Sequence, residues 1–248
     1  MKVATWNVNG IRAREAQVRE WIERERPEAV CLQEIKAPAA QIPASLCELP
    51  GYWCYWHGET AYSGVGLHLR KDVVADKPAF GHPAFDYENR IVTAQLGPLT
   101  VASIYVPNGG KDFPAKIRFL EALDAWVAEA HGGGAELVLC GDVNIARTDM
   151  DVHPKERKPG AIGQRPEERE LLERILGRGL VDVGRALDPD NDQLFTWWAP
   201  WRNLRQRNIG WRLDYVLASE PVARRARSCA VQADIGTSDH APVVATFD

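Results

Sequence analysis

Polar side chains gather where apolar runs end. "VLCGDVNIAR" (138–147) passes from a strand-like run, Val138-Leu139-Cys140, through Gly141 to Asp142 and Asn144. "ATWNVNG" carries Asn7 and Asn9 at the same spacing, and "VCLQE" ends on Glu34. "SIYVPNGGK" ends a run at Tyr105 and continues to Asn108 and Lys111. "WRLDYVL" sets Asp214 among apolar neighbours, and "GTSDHAPVV" sets Asp239 and His240 before the last apolar run. Residues two apart on an extended chain point the same way. Asn7 and Asn9 therefore share a face, as do Asp142 and Asn144, while Trp6, Val8 and Val143 turn to the core. Singly, each has a plainer reading. Asn and Asp at strand ends mostly make turns; a lone Glu is usually a surface carboxylate, a lone His a structural one, a lone Tyr core. Together, two or more Asn, several carboxylates, a His and a Tyr would be costly to bury without a ligand.

The set offers oxygen ligands and no Cys, which selects a hard cation such as Mg²⁺ or Mn²⁺. No nucleophile elbow is present, which argues against acyl transfer. No G-x-x-x-x-G-K-[ST] run occurs, and "GVGLHL" (64–69) lacks the third glycine of a dinucleotide fingerprint, so no nucleotide cofactor is expected. "DPDND" (188–192) begins like a calcium loop but has Gln193 and Ala199 where Gly and Glu are required. Metal-assisted hydrolysis of a phosphodiester by water matches the donor set best.

The elements that must position these residues alternate between short apolar runs and helical patterns. Strands are expected at Lys2–Val8, Ala29–Gln33, Gly64–Leu69, Arg90–Leu96, Thr100–Val106, Leu137–Cys140, Leu213–Ala218 and Pro242–Phe247. Helices are expected at Ile11–Glu25, Pro114–Ala130 and Pro166–Leu176. Hairpin-like pairs mix with helix-linked strands, which predicts an α/β protein with mixed sheets. No composition break divides the chain, so residues 1–248 read as one domain, with a long polar loop at 147–165.

With 45% apolar residues, the 248-residue chain can bury a large core. The N-terminus turns polar too soon for a signal peptide and no apolar run spans a bilayer, so a cytosolic location and no membrane partner are expected. The five cysteines show no C-x-x-C pair. Net charge is −4, yet residues 201–227 hold seven arginines against two acids, a local charge of +5. Such a segment is expected to meet phosphates, with binding that weakens in salt.

Read in order, "TWNVNGIRAR", "CLQEIK", "YSGVGL", "YVPNGG", "GDVNIA", "PEER", "GWRLDY" and "SDHAP" resemble the exonuclease III family of apurinic/apyrimidinic (AP) endonucleases, within the DNase I-like endonuclease/exonuclease/phosphatase superfamily. "GWRLDY" preceded by "FTWW" points to the DNA-repair branch. The resemblance covers the whole chain. It implies a four-layered sandwich of two packed mixed sheets flanked by helices. It implies Mg²⁺ (or Mn²⁺) on Glu34, Asp239 and Asn9. Asp142 would position or deprotonate the attacking water, His240 oriented by Asp214 would bind the phosphate, and Asn7, Asn144 and Tyr105 would donate to it. Asn108 and Lys111 match DNA-backbone contacts. Trp197, Trp211 and Leu213 match a pocket for a base-less sugar, and Trp201 a residue intruding into the groove. The implied partner is double-stranded DNA with abasic sites or blocked 3′ ends, acted on by a monomer. Three features depart from some family members: Asn9 stands where they have Asp, Lys111 replaces a frequent Arg, and loop 147–165 lacks an asparagine-rich stretch. Two other readings use the same residues: a phosphoesterase for small phosphoesters, and a non-catalytic DNA-binding scaffold.

Overall fold

The computed structural model describes all 248 residues. Two six-stranded mixed sheets pack face to face. The first is built from β1 (Lys2–Asn7), β2 (Ala29–Gln33), β3 (Tyr52–His57), β4 (Val65–Arg70), β11 (Ala226–Val231) and β12 (Val243–Phe247), in the order β11-β12-β1-β2-β4-β3. The second holds β5 (Phe80–Gly81), β6 (Ile91–Leu96), β7 (Leu99–Tyr105), β8 (Glu136–Asp142), β9 (Leu180–Asp182) and β10 (Asp214–Ser219), in the order β5-β6-β7-β8-β10-β9. α1 (Glu15–Glu25) covers the outside of the first sheet; α3 (Phe113–Gly132) and α4 (Pro166–Leu176) cover the second. The remaining helices are short: α2 (Ala44–Cys47), α5 (Val183–Leu187) and α6 (Glu220–Ala223). This is the four-layered arrangement that the resemblance implied.

Each layer follows from its residues. β2, "AVCLQ", is buried along its whole length and so reads as a continuous apolar run rather than an alternating one. Val3, Cys31 and Leu67 face Val101, Val138 and Val216 across the two sheets. Trp6, Val30 and Leu32 turn outward onto Val18, Trp21 and Ile22 of α1. Leu120, Leu123 and Val127 of α3 seal the other outer face. Fully burying a side chain of this size stabilises by roughly 1.5–3 kcal/mol. α3 starts where Asp112 accepts from the Ala115 amide at 2.9 Å. α4 starts at Pro166, and Glu168 reaches back to accept from the Arg165 amide at 3.1 Å.

All eight expected strands are present, Ala29–Gln33 with the same bounds and the others with ends shifted by at most two residues. The main revision is that β8 continues through Gly141 to Asp142, because Asp142 still pairs with Tyr105 on one side and Asp214 on the other. Only glycine fits at 141: a Cβ there would collide with the Ile104 carbonyl. Four strands were not expected, β3, β5, β9 and β11, and they are the four sheet edges. Loop 147–165 carries two single 3-10 turns, Asp149–Asp151 and Pro154–Glu156. No helix is long and apolar enough to cross a membrane.

Candidate active site

One end of the sandwich collects the chemistry. β1 runs parallel to β2, and β7 parallel to β8, so Asn7, Glu34, Tyr105 and Asp142 emerge together at strand C-terminal ends. Asp214 and His240 arrive from the opposite direction. β10 and β12 run antiparallel to β8 and β1, and these residues stand at or before their N-terminal ends.

The shared-face expectation needs correction. Asn9 (φ 44°), Glu34 (φ 55°) and Asn144 (φ 54°) all have left-handed backbones, so the chain is not extended at these positions. The Asn9 amide donates to Asn7 Oδ1 at 3.0 Å, and the Asn144 amide to Asp142 Oδ1 at 2.8 Å. Both are Asx-turns. The turn reading and the chemical reading thus hold for the same residues: the turn is what swings the second side chain back beside the first. A left-handed non-glycine residue costs about 1–3 kcal/mol and persists where its surroundings over-determine it. Val143 points into the core, as expected.

The side chains converge on Asp142. Asn7 Nδ2 donates to Asp142 Oδ2 and to Glu34 Oε2, both at 2.9 Å, which ties the two sheets together. Asn144 Nδ2 donates to Asp142 Oδ2 at 3.2 Å and to the Val106 carbonyl at 2.9 Å. Asn108 Nδ2 donates to Asn144 Oδ1 at 3.2 Å. His240 Nε2 lies 3.8 Å from Asp142 Oδ2, while its Nδ1 is 2.8 Å from Asp214 Oδ2. Thr196 Oγ1 donates to that same Asp214 oxygen at 2.6 Å. Thr196 escaped the sequence reading, since nothing in "FTWW" separates it from the tryptophans. Asp214 Oδ1 is buried with no partner.

Asp142 and Asp214 stand directly opposite each other on neighbouring strands, an arrangement that disfavours two negative charges. Burial, reinforced by Asp214, pushes the Asp142 carboxyl up to about 7, against the pull of His240 and the Asn7 and Asn144 hydrogen bonds. Burial disfavours a charged His240, but Asp214 and Asp142 outweigh it and raise the imidazole to about 10. Burial, with the charges of Glu34 and Asp142, holds the Tyr105 hydroxyl well above its usual range, so it remains a donor.

Next to this network lies a chain of oxygen donors. Lys36 Nζ sits 2.6 Å from Glu34 Oε1 and donates to Asn9 Oδ1 at 2.6 Å. Asn9 Nδ2 donates to Asp239 Oδ1 at 2.8 Å, and Trp197 Nε1 to Asp239 Oδ2 at 2.9 Å. Burial opposes the charge on Asp239, but His240 and these hydrogen bonds hold its carboxyl below the usual range. The ammonium of Lys36 is a stand-in cation, and its position shows that Glu34 and Asn9 present oxygens to a positive centre. Lys36 lies two residues beyond Glu34 in "CLQEIK" and was not singled out from sequence.

These residues open onto a cleft of about 340 Å³ lined by Trp197, Trp211, Leu213, Ile162 and Gly163 as well as the polar set. Trp197 and Trp211 meet edge to face, with centroids 5.7 Å apart. "TWWAPW" therefore divides: Trp197 faces the cleft, Trp198 is core and Trp201 is 60% exposed. Lys111 is exposed, over the Tyr62 ring. The arginine-rich segment does not form one phosphate-facing patch. Arg212 is buried between Asp151 and Asp182, and Arg205 donates to the carbonyls of Ala233, Ile235 and Ser238. Arg224, Arg225 and Arg227 pair with Glu220, Glu136 and Asp248 at the far ends of β10 and β12. Only Arg202 and Arg207 stay exposed without an ion pair.

Two packed mixed sheets with a buried Asp–His–Asp set beside a row of side-chain oxygens at one end match the hydrolases that cleave phosphoesters. The profile of the endonuclease/exonuclease/phosphatase family matches residues 4–240, and the chain belongs to that family, in its exonuclease III-type AP endonuclease branch. The exodeoxyribonuclease of Bacillus subtilis is 32% identical over 98% of this chain and 98% of its own length. Recombination repair protein 1 of Drosophila melanogaster is 31% identical over the whole chain, which spans 37% of that protein's length. Among solved structures, the 3′-5′ exonuclease NExo of Neisseria meningitidis superposes with a TM-score of 0.91 at 31% identity, covering 100% of both chains. NExo has also been solved as a 3′ phosphatase bound to a product DNA hairpin. An AP endonuclease from Archaeoglobus fulgidus superposes with a TM-score of 0.89 at 29% identity, over 100% of this chain and 99% of that one.

Proposed function

We propose that this chain is a DNA-repair nuclease that hydrolyses the phosphodiester 5′ to abasic sites in duplex DNA and leaves a 3′-OH, with 3′-phosphatase, 3′-phosphodiesterase and 3′→5′ exonuclease activity on blocked ends. The observation that carries the proposal is Asp142: buried, raised toward neutrality, and set between donor groups beside a tryptophan-walled cleft. The nuclease and repair names of the relatives support the same reading.

Asp214 and Asp142 hold His240 toward its charged form, a poor proton acceptor, and leave Asp142 as the base. Its carboxylate takes a proton from water as the water oxygen attacks phosphorus. The bond from phosphorus to the departing 3′-oxygen breaks, that oxygen takes a proton from solvent, and Asp142 releases the proton it took back to solvent. Both ring nitrogens of charged His240 are donors; Nδ1 is engaged by Asp214, which leaves Nε2–H for the phosphoryl oxygens. Tyr105 supplies a further donor; the amides of Asn7 and Asn144, whose hydrogens are taken by Asp142, Glu34 and the Val106 carbonyl, would join it by turning a hydrogen from these acceptors to the phosphate. One preorganised donor is worth only about 3–4 kcal/mol, so several are needed. Glu34, with Asn9 and Asp239, would hold Mg²⁺ (or Mn²⁺), and a cation there supplies positive charge to the transition state. Trp197, Trp211 and Leu213 offer an apolar seat for a bare deoxyribose, whose extrusion is cheap because no base is unpaired. Asn108, Lys111 and Trp201 flank the cleft as backbone and groove contacts.

The test is a duplex carrying one tetrahydrofuran abasic analogue, incubated with Mg²⁺ or EDTA. A nick 5′ to the lesion in Mg²⁺ alone is expected. No nick in Mg²⁺, alongside turnover of inositol phosphates, would overturn the proposal.

A further inference from the structure

Away from the cleft, His57, His82 and Asp86 meet. The two imidazoles are stacked 3.8 Å apart at 13°, so their in-plane lone pairs do not converge on a metal. A different buried group carries an inference. Lys116 of α3 and Glu168 of α4 form an ion pair with neither side chain exposed. We propose that this pair is a clamp that positions Asn144 and the Gly163 wall of the cleft; the proposal rests on the nuclease reading above.

Replacing a buried ion pair by apolar residues is often neutral or stabilising, so stability alone does not call for Lys and Glu here. An apolar pair could not make the hydrogen bonds that these residues make. Lys116 Nζ donates to the Asn144 carbonyl at 2.7 Å. Glu168 Oε1 accepts from the Gly163 amide at 2.5 Å and from the Arg165 amide at 3.1 Å. Asn144 holds a left-handed backbone and aims its amide at Asp142, so fixing its carbonyl fixes that donor. Gly163 lies beneath Trp211: a Cβ there would come within 2.9 Å of the ring and 3.3 Å of the Asn144 carbonyl. The Gly163 carbonyl accepts from the Ala146 amide at 2.8 Å, so the 144–146 turn and the 163 wall are one unit. Gly109 closes over the lysine stem, where a Cβ would meet Lys116 Cδ at 2.9 Å. Lys116 and Glu168 touch no substrate; they are positioning residues that act through Asn144 and Gly163.

The double variant Lys116→Met/Glu168→Gln removes both charges and the donor to Asn144, but keeps an oxygen for Gly163. It should fold with a Tm near wild type. Its kcat on the abasic duplex should fall about 10–100-fold, as expected for a small misplacement of reacting groups. KM should stay within about 3-fold, since the loss is confined to the transition state. Amide exchange should quicken most at 143–146 and less at 161–165, where the side chain of Glu168→Gln still accepts from the Gly163 amide. Wild-type kcat in the folded variant, or unchanged exchange at 143–146, overturns the clamp. If the double variant does not fold, the wild type decides by NMR. Slowly exchanging Lys116 ammonium protons are expected, and exchange as fast as that of surface lysines overturns the clamp. If the wild type does not nick DNA, the nuclease reading fails by itself, while the exchange measurements still judge the clamp.

Discussion

Arg212 and Asp142 are both ionisable and buried, and stand near paired ends of β10 and β8, yet their surroundings follow opposite rules. Arg212 reaches Asp182 through two parallel bonds of 2.8 and 2.6 Å and Asp151 through a third of 2.7 Å. Arg185 adds a second cation to Asp151 at 2.7 Å. Burial opposes the charge on Asp151, but the two arginines outweigh it and keep its carboxyl below the usual range. At the other centre, Asp142 faces Asp214 across the strand pair, shares one imidazole with it, and is raised toward neutrality. One oxygen of Asp214 has no partner. A fully paired cluster holds a single structure together. An unbalanced one keeps unspent donors and acceptors for a ligand, which is why perturbed groups mark functional sites.

Exchanging charge for neutral isosteres should separate the two centres. Asp142→Asn should cut kcat about 10²–10⁴-fold, the range of a lost general base, while duplex affinity by fluorescence anisotropy holds and Tm does not fall. Near wild-type nicking by this variant would remove Asp142 from its role. Arg212→Met should do the reverse. It takes the bidentate partner from buried Asp182 and one of two cations from Asp151, and should cost about 3–5 kcal/mol in calorimetry, with kcat of the folded protein within about 3-fold. A large kcat loss without a Tm loss would erase the contrast.

Trp211→Ala should lower discrimination between abasic and intact duplex by about 10-fold or more, in line with the loss of an apolar pocket wall. Equal losses on both substrates would break the pocket assignment. The smallest change expected is a displaced pH limb. With Asp142 as the proposed base, the rate should rise with pH through a limb near 7, or lower when a cation is bound nearby. With protonated His240 as the proposed phosphate donor, the rate should fall as pH rises through about 10. The stabilisation that His240 brings is full below its unfolded value of about 6.5 and is lost through the same high-pH range. Asp214→Asn removes the strongest group raising His240 and should move the alkaline limb to lower pH. An unmoved limb in a pH–rate series would show that another group sets it.

Much of this was legible in one dimension. β2 and β8 read as buried because their apolar runs are continuous, and α3 because its Leu120-Leu123-Val127 stripe repeats at the helical period. The edges were not legible. β11, "ARSCAV", carries Arg and Ser on an exposed strand, and β5 is two residues long. Edge strands such as these are kept short or polar, which blunts the signal by which strands are read; β3, "YWCYWH", is neither, and its aromatic run was a signal left unused. The arginine count misled for a related reason: composition gives the charge of a segment but not its partners.

The sequence by itself determined the layered α/β class, the interior strands, the donor set and its kind of chemistry. These depend on local periodicity and residue type. Tertiary structure alone decided which groups meet. Asn7 reaches Asp142 across 135 residues, and Trp6 donates to the His240 carbonyl across 234. It also decided that Asp142 opposes Asp214, that Thr196 holds Asp214, that Lys36 sits among the metal-type oxygens, and that five of the seven arginines are already engaged. Pairing across such separations is set by how the sheets pack, and burial then fixes each group's charge. Neither is written in any single stretch of the chain.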